Sequence, residues 1–261
     1  MSDSCRGVAV AICAGLWWGL AGVPVQAAPG HGHGHGMRIG IARVPPAPAP
    51  GAKVRTPVQL EALLIRATGG VQPQSVVAEQ AVGRIHQGTL DVWVGALSPH
   101  AALPEGVQRV ALAWSASPMA IMRSDTAIRR WEDLKDHTVC LAADGRYRGE
   151  LAARYDAIER IYPSATDALL ALRTGQCDAT VQDESLLREL LKFPEWHKFS
   201  AVLEPYRHQD LVRLTRRDLP TEQRALLSRQ TGPATLQAAA SKQARDIAFE
   251  VYLDQAVPDC H

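Results

Sequence analysis

Apolar and polar positions change rhythm several times along this chain, and each change predicts an element. Residues 37–42 read as a strand, and the Pro/Ala-rich run 44–51 reads as a loop. Thr56-Pro57 offers an N-cap and a first helical residue, Leu60, Leu63, Leu64 and Ala67 then share one helical face, and Gly69-Gly70 end the helix. Residues 71–78 read as strand, 79–87 as helix stopped by Gly88, and 90–94 as strand. A loop over 97–108 leads to extended segments at 110–114 and 119–123.

From Trp131 the alternation sharpens. A short helix at 131–135 precedes a strand at 138–142, an Asp144-Gly145 turn, a helix at 148–155 and a strand at 158–162. Ser164-Ala165-Thr166-Asp167 opens a helix whose apolar face is Ala168, Leu169 and Leu172. A strand at 178–182 runs into Asp183, which opens a helix carrying Leu186, Leu187, Leu190 and Leu191. Segments 199–203 and 211–214 read as returning strands, and helices at 220–230 and 233–254 close the chain. Such strand–helix alternation predicts mostly parallel sheets flanked by helices. Two α/β units joined by two extended strands make a two-lobed body, with a cleft where the strand ends of the lobes face each other.

The ends place this body outside the cytoplasm. Residues 1–27 read as a signal peptide: Arg6, an apolar run over 8–23, then Val25-Gln26-Ala27 as a cleavage pattern. About 230 residues would remain, enough for one or two proper cores. Residues 28–36 form a Gly/His tail expected to be disordered; His31, His33 and His35 read as a polar spacer, or as a loose metal collector. The net charge of +1, with arginines spread along the chain, argues against nucleic acid. Cys140 and Cys177 fall on neighbouring strands, either bridged or as two buried thiols, and Cys260 is left over. Enzyme motifs are missing: there is no Gly-x-Ser-x-Gly elbow, His-Glu-x-x-His pair or phosphate loop.

The segments Trp131-Glu132-Asp133-Leu134-Lys135, 164–179 (ending Gly175-Gln176-Cys177-Asp178-Ala179), Val181-Gln182-Asp183, 85–92 and Glu204-Pro205-Tyr206 resemble bacterial extracellular solute-binding proteins of family 3. The resemblance covers nearly all of the chain after residue 36. It implies the type II periplasmic-binding-protein fold with two hinge strands, divided as 37–121 plus 214–261 for lobe 1 and 122–213 for lobe 2. It also implies a periplasmic monomer that closes on a small polar ligand, zwitterionic or anionic, for an inner-membrane ABC permease, without a cofactor and without catalysis. Two other readings stay open: an accessory protein with a degenerate cleft that acts through a protein partner, and a small dehydratase-like enzyme on the same fold.

The candidate ligand residues come from that match. Asp183 stands where relatives carry a strand-end carboxylate that pairs with a ligand ammonium; a plain helix N-cap is the other reading. Gly145, Arg146 and Tyr147 replace the relatives' Gly-Ser/Thr-Thr turn, where free amides and here a guanidinium would face an anion. Ser98 falls at the first lobe's contact loop. The carboxylate-clamping Arg is missing from its usual offset; Arg109 is its candidate replacement, or simply a strand-start residue. Ala47 follows Pro45-Pro46 where an aromatic is common. Trp114 and Trp93 read as core.

Overall fold

In a computed structural model, residues 37–42, 50–51, 53–56, 60–61, 73–230 and 233–255 are described. The expected signal peptide, the Gly/His tail, most of the first loop and first helix, and Cys260 lie outside these residues.

Among the described residues, ten strands form two five-stranded sheets. The first holds β1 (Ile39–Ile41), β2 (Gln74–Ser75), β3 (Val92–Leu97), β4 (Val107–Ser115) and β10 (Asp210–Arg216), in the order β2-β1-β3-β10-β4. The second holds β5 (Pro118–Met122), β6 (Thr138–Ala142), β7 (Ile158–Tyr162), β8 (Ala179–Asp183) and β9 (Ala201–Leu203), in the order β7-β6-β8-β5-β9. In the first sheet β1 runs parallel to β2 and β3, and β10 opposes β3 and β4. The second sheet repeats the plan: β6 is parallel to β7 and β8, and β5 opposes β8 and β9. Each opposing strand arrives from the other sheet. This is the two-lobed, type II periplasmic-binding arrangement. The chain crosses between sheets at 116–117 and at 204–209, so β5 lies wholly in the second sheet and β10 wholly in the first.

Helices α1 (Ala78–His86), α2 (Glu150–Tyr155), α3 (Ala165–Arg173), α4 (Glu184–Leu190), α5 (Thr221–Gln230) and α6 (Pro233–Asp254) accompany the strands. The expected helix at 131–135 is a single 3-10 turn, Trp131–Leu134. At the start of α3 the capping is reciprocal: the Asp167 amide donates to Ser164 Oγ (3.1 Å), and Ser164 Oγ donates to Asp167 Oδ2 (2.6 Å). Cys140 and Cys177 form a disulfide with their Cα atoms 5.9 Å apart, tying β6 to the turn after α3.

Trp93 is completely buried in the first lobe, and its indole donates to the Val76 carbonyl at 2.8 Å. Gly95, next on the same face of β3, has no space for a side chain: an added Cβ would lie 2.3 Å from that indole.

Helix α6 follows the first sheet in the chain but packs against α3 and α4 of the second lobe. Its Ala240, Ala244, Ile247, Ala248 and Val251 enter one core with Leu169, Leu172, Leu186 and Leu190 and with Val92 and Leu112 of the first sheet. Apolar area is thereby removed from water between the lobes as well as within them.

Candidate functional site

Strand β8 ends at Asp183, where the backbone turns directly into α4. Asp183 holds the N-cap position, yet its side chain makes no capping bond to the helix. The carboxylate, 2% exposed, points instead into the junction between the lobes. Trp114 Nε1 donates to Oδ2 at 2.9 Å. The Tyr147 hydroxyl lies 2.7 Å from Oδ1 and 2.8 Å from the Ala116 carbonyl, one proton facing two acceptors. Arg146 Nε reaches Oδ1 and Oδ2 at 3.1 and 3.2 Å.

Trp114 gets there through a distortion of β4. Residues 112–114 stand opposite Leu211 alone, because Asp210 pairs with Ser115 and Val212 with Ala111. Ala113 takes the left-handed region, with φ +51. A bulge of this kind re-aims a side chain, and a non-glycine residue in that region costs about 1–3 kcal/mol. Here the bulge carries an indole N–H to a buried carboxylate. Trp114 also lines a groove of about 580 Å³ bordered by Glu184, Arg188, Lys192 and Gln237, whose charges pair among themselves as Glu184–Arg188 and Glu189–Lys192.

The other side of Arg146 meets the first lobe. Its Nη2 donates to Glu61 Oε2 at 2.5 Å. Glu61 is helical and wholly buried, and its Oε1 has no hydrogen-bond partner among the described residues. Two carboxylates from opposite lobes therefore share one guanidinium, and the array carries one surplus negative charge when both are ionised. A buried acceptor without a donor costs on the order of 1–3 kcal/mol.

The environment shifts each group accordingly. Burial pushes the Glu61 carboxyl above its ordinary range, against the pull of Arg146. Burial alone would lower the Arg146 guanidinium, but Asp183 and Glu61 hold it above the usual arginine value. Burial, then the neighbouring Asp183, raises the Tyr147 hydroxyl. A carboxyl with a raised value binds a proton in the folded state that the unfolded chain releases, so its contribution to stability falls as pH rises through that interval. Glu61→Gln removes this term: urea unfolding midpoints from about pH 5 to about pH 8 are expected to fall less steeply than in the parent protein, and to be no lower at the alkaline end. Parallel slopes in the two proteins would contradict the assignment.

The lobes also meet at the first turn of α3. Arg55 donates to Asp167 at 3.0 Å and pairs with Asp254 of α6. Glu250 of α6 accepts from the Thr56 amide (3.0 Å), the Thr56 hydroxyl (2.8 Å) and the Thr166 hydroxyl.

Of the six residues singled out from sequence, Asp183, Arg146 and Tyr147 come together here. Gly145 shapes their turn: its amide donates to the Ala142 carbonyl at 2.9 Å, and an added Cβ would sit 3.0 Å from that oxygen. The helix beyond starts only at Glu150, and the amides of Gly149, Leu151 and Ala152 are held by the Glu159 carboxylate at 2.6, 3.0 and 3.1 Å. That helix mouth is already supplied with an anion from β7. Ser98 and Arg109 form a separate group in the first lobe. Ser98 Oγ accepts from the His100 amide at 3.3 Å, and Arg109 donates to the Pro99 and Ala101 carbonyls at 2.5 and 2.6 Å, pinning the loop after β3. Glu61 and the donor role of Trp114 were missed from sequence. Glu61 adjoins Leu60 on the apolar face of the first helix, the one available hint.

No protein-family model matches the chain, and no curated protein matches it. Solved structures do. The ligand-binding core of GluR0 from Nostoc punctiforme, in complex with L-glutamate, is 16% identical, with 80% of this chain and 99% of that one covered and a TM-score of 0.46. An ancestral cationic amino-acid solute-binding protein is 21% identical, with 79% and 94% covered and a TM-score of 0.44. The periplasmic VFT2 domain of Bordetella pertussis BvgS is 18% identical, with 70% and 81% covered and a TM-score of 0.39.

Proposed function

We propose that this chain is an exported solute-binding protein that holds a small polar metabolite between its lobes and delivers it to an inner-membrane ABC permease. The observation that carries this is Asp183. A strand-terminal carboxylate, oriented by Trp114 and Tyr147 rather than spent on its own helix, faces the other lobe at the carboxyl end of a parallel strand, where open α/β sheets take their ligands. Lobe closure would exclude water around it, which strengthens a charge-assisted bond. The role is binding, not catalysis: the neighbouring Glu184 is engaged by Ser115 and Arg188 rather than poised beside Asp183 as an acid–base partner.

Titration calorimetry against amino acids, amines and dicarboxylates tests this. A zwitterionic or cationic member is expected to bind, and Asp183→Asn to weaken it by at least about 30-fold, the loss of one buried charge-assisted contact worth about 2 kcal/mol or more. Silence across the panel would overturn the reading. It would favour instead an accessory role through a protein partner, a second reading supported by one observation: both oxygens of Asp183 are already taken by the protein's own side chains.

A further inference from the structure

We infer that Glu61 and Asp183 together form a cation seat, that Arg146 is its resident occupant, and that the solute is one bringing a guanidinium or ammonium head of its own. This rests on the solute-binding reading and adds to it a ligand class and a first-lobe residue.

Four observations converge. The seat has one carboxylate from each lobe, both at most 2% exposed, on a single guanidinium. Buried carboxylates need cationic partners, and among the described residues these two are joined through Arg146. Next, the seat is under-filled. Arg146 gives its Nε to Asp183 and its Nη2 to Glu61 Oε2, while Glu61 Oε1, wholly buried, has no donor among the described residues. An incoming guanidinium or ammonium, with donors pointing several ways, can serve that oxygen as well. Third, Arg146 is the one member of the array that reaches water, at 10% exposure against 0% and 2% for its partners. Its backbone sits in the turn between Gly145 and Gly149, the latter at φ +79. Finally, the exchange conserves charge, one cation for another. A displaced Arg146 then presents its planar fork at the mouth of the seat, suited to an anionic tail on the same solute. The resident guanidinium thus acts as a selectivity filter: a solute without a cation cannot replace it except by leaving two carboxylates unpaired.

The test is chemical rescue. Arg146→Ala empties the seat, and its thermal unfolding is followed with low-millimolar methylguanidinium chloride, methylammonium chloride and sodium chloride at matched ionic strength. Methylguanidinium is expected to raise the melting temperature of Arg146→Ala saturably and beyond the sodium control, and to shift the parent protein less at the same concentration, because there it must displace Arg146. Adding Glu61→Gln is expected to weaken that response at least tenfold. A response no larger than that to sodium, or one unchanged by Glu61→Gln, overturns the seat. Should Arg146→Ala fail to fold, Glu61→Gln alone serves: affinity for a cationic solute bound by the parent is expected to fall at least tenfold, and unchanged affinity overturns the role of Glu61. The two readings separate cleanly. Rescue of Arg146→Ala with no solute bound by the parent sinks transport and keeps the seat; solute binding without rescue does the reverse.

Discussion

Arg146→Ala is expected to destabilise the protein by about 3–5 kcal/mol at neutral pH, the cost of removing one partner from a buried ionic array. The loss is large because of what remains: Glu61 and Asp183, both out of water, with the single intervening cation gone. Arg146→Met keeps most of the side-chain volume and is expected to cost nearly as much, since charge rather than space is missing. Glu61→Gln in the Arg146→Ala background is expected to recover part of the loss by removing one of the two stranded charges. Urea unfolding of the three variants decides the matter. A midpoint for Arg146→Ala within about 1 kcal/mol of the parent, the range of an exposed ion pair, would mean that the array is not buried as described.

The second large effect is covalent. The Cys140–Cys177 bridge spans 37 residues and encloses α2, β7 and α3. Chain-entropy arguments give such a loop about 3.5–4 kcal/mol, mostly by restricting the unfolded chain. Cys140→Ala/Cys177→Ala is expected to lose most of that, and the parent protein to lose a similar amount in excess dithiothreitol. Both half-cystines lie in a buried cluster with Ala168 and Ala171, so the alanine pair adds no unsatisfied polar group. Insensitivity of the unfolding midpoint to the reductant would contradict the bridge.

Much of the second lobe was legible in the sequence, for local reasons. Strands β6 and β7 fall on the expected residues, where short apolar runs lie between clear turn signals, and Ser164 caps α3 as its Ser-x-x-Asp spacing implies. The position of Asp183 at a strand-to-helix junction was legible from the local pattern; its ligand role was implied by the resemblance. Other features depend on contacts between residues far apart in the chain. Nothing near Glu61 says that the polar edge of its helix will be pressed against a guanidinium 85 residues away. Trp114 reads as core and is buried; its second role arises from a three-for-one bulge that only the pairing with β10 creates. Arg146 falls at the turn after β6, as expected. There its guanidinium meets two carboxylates, one of them brought from the first lobe by Glu61. The shared core through α6 was likewise invisible, because the helical rhythm of 233–254 does not say which lobe its alanine face will meet.

Mass spectrometry under non-denaturing conditions, on protein isolated gently from its own host, tests the central claim most directly. A solute held at the lobe junction predicts a complex heavier than the polypeptide by one small molecule with a basic group, released on mild activation and missing from Asp183→Asn. A bare chain in parent and variant alike, or a parent that emerges bound to a second protein with the junction empty, would contradict it.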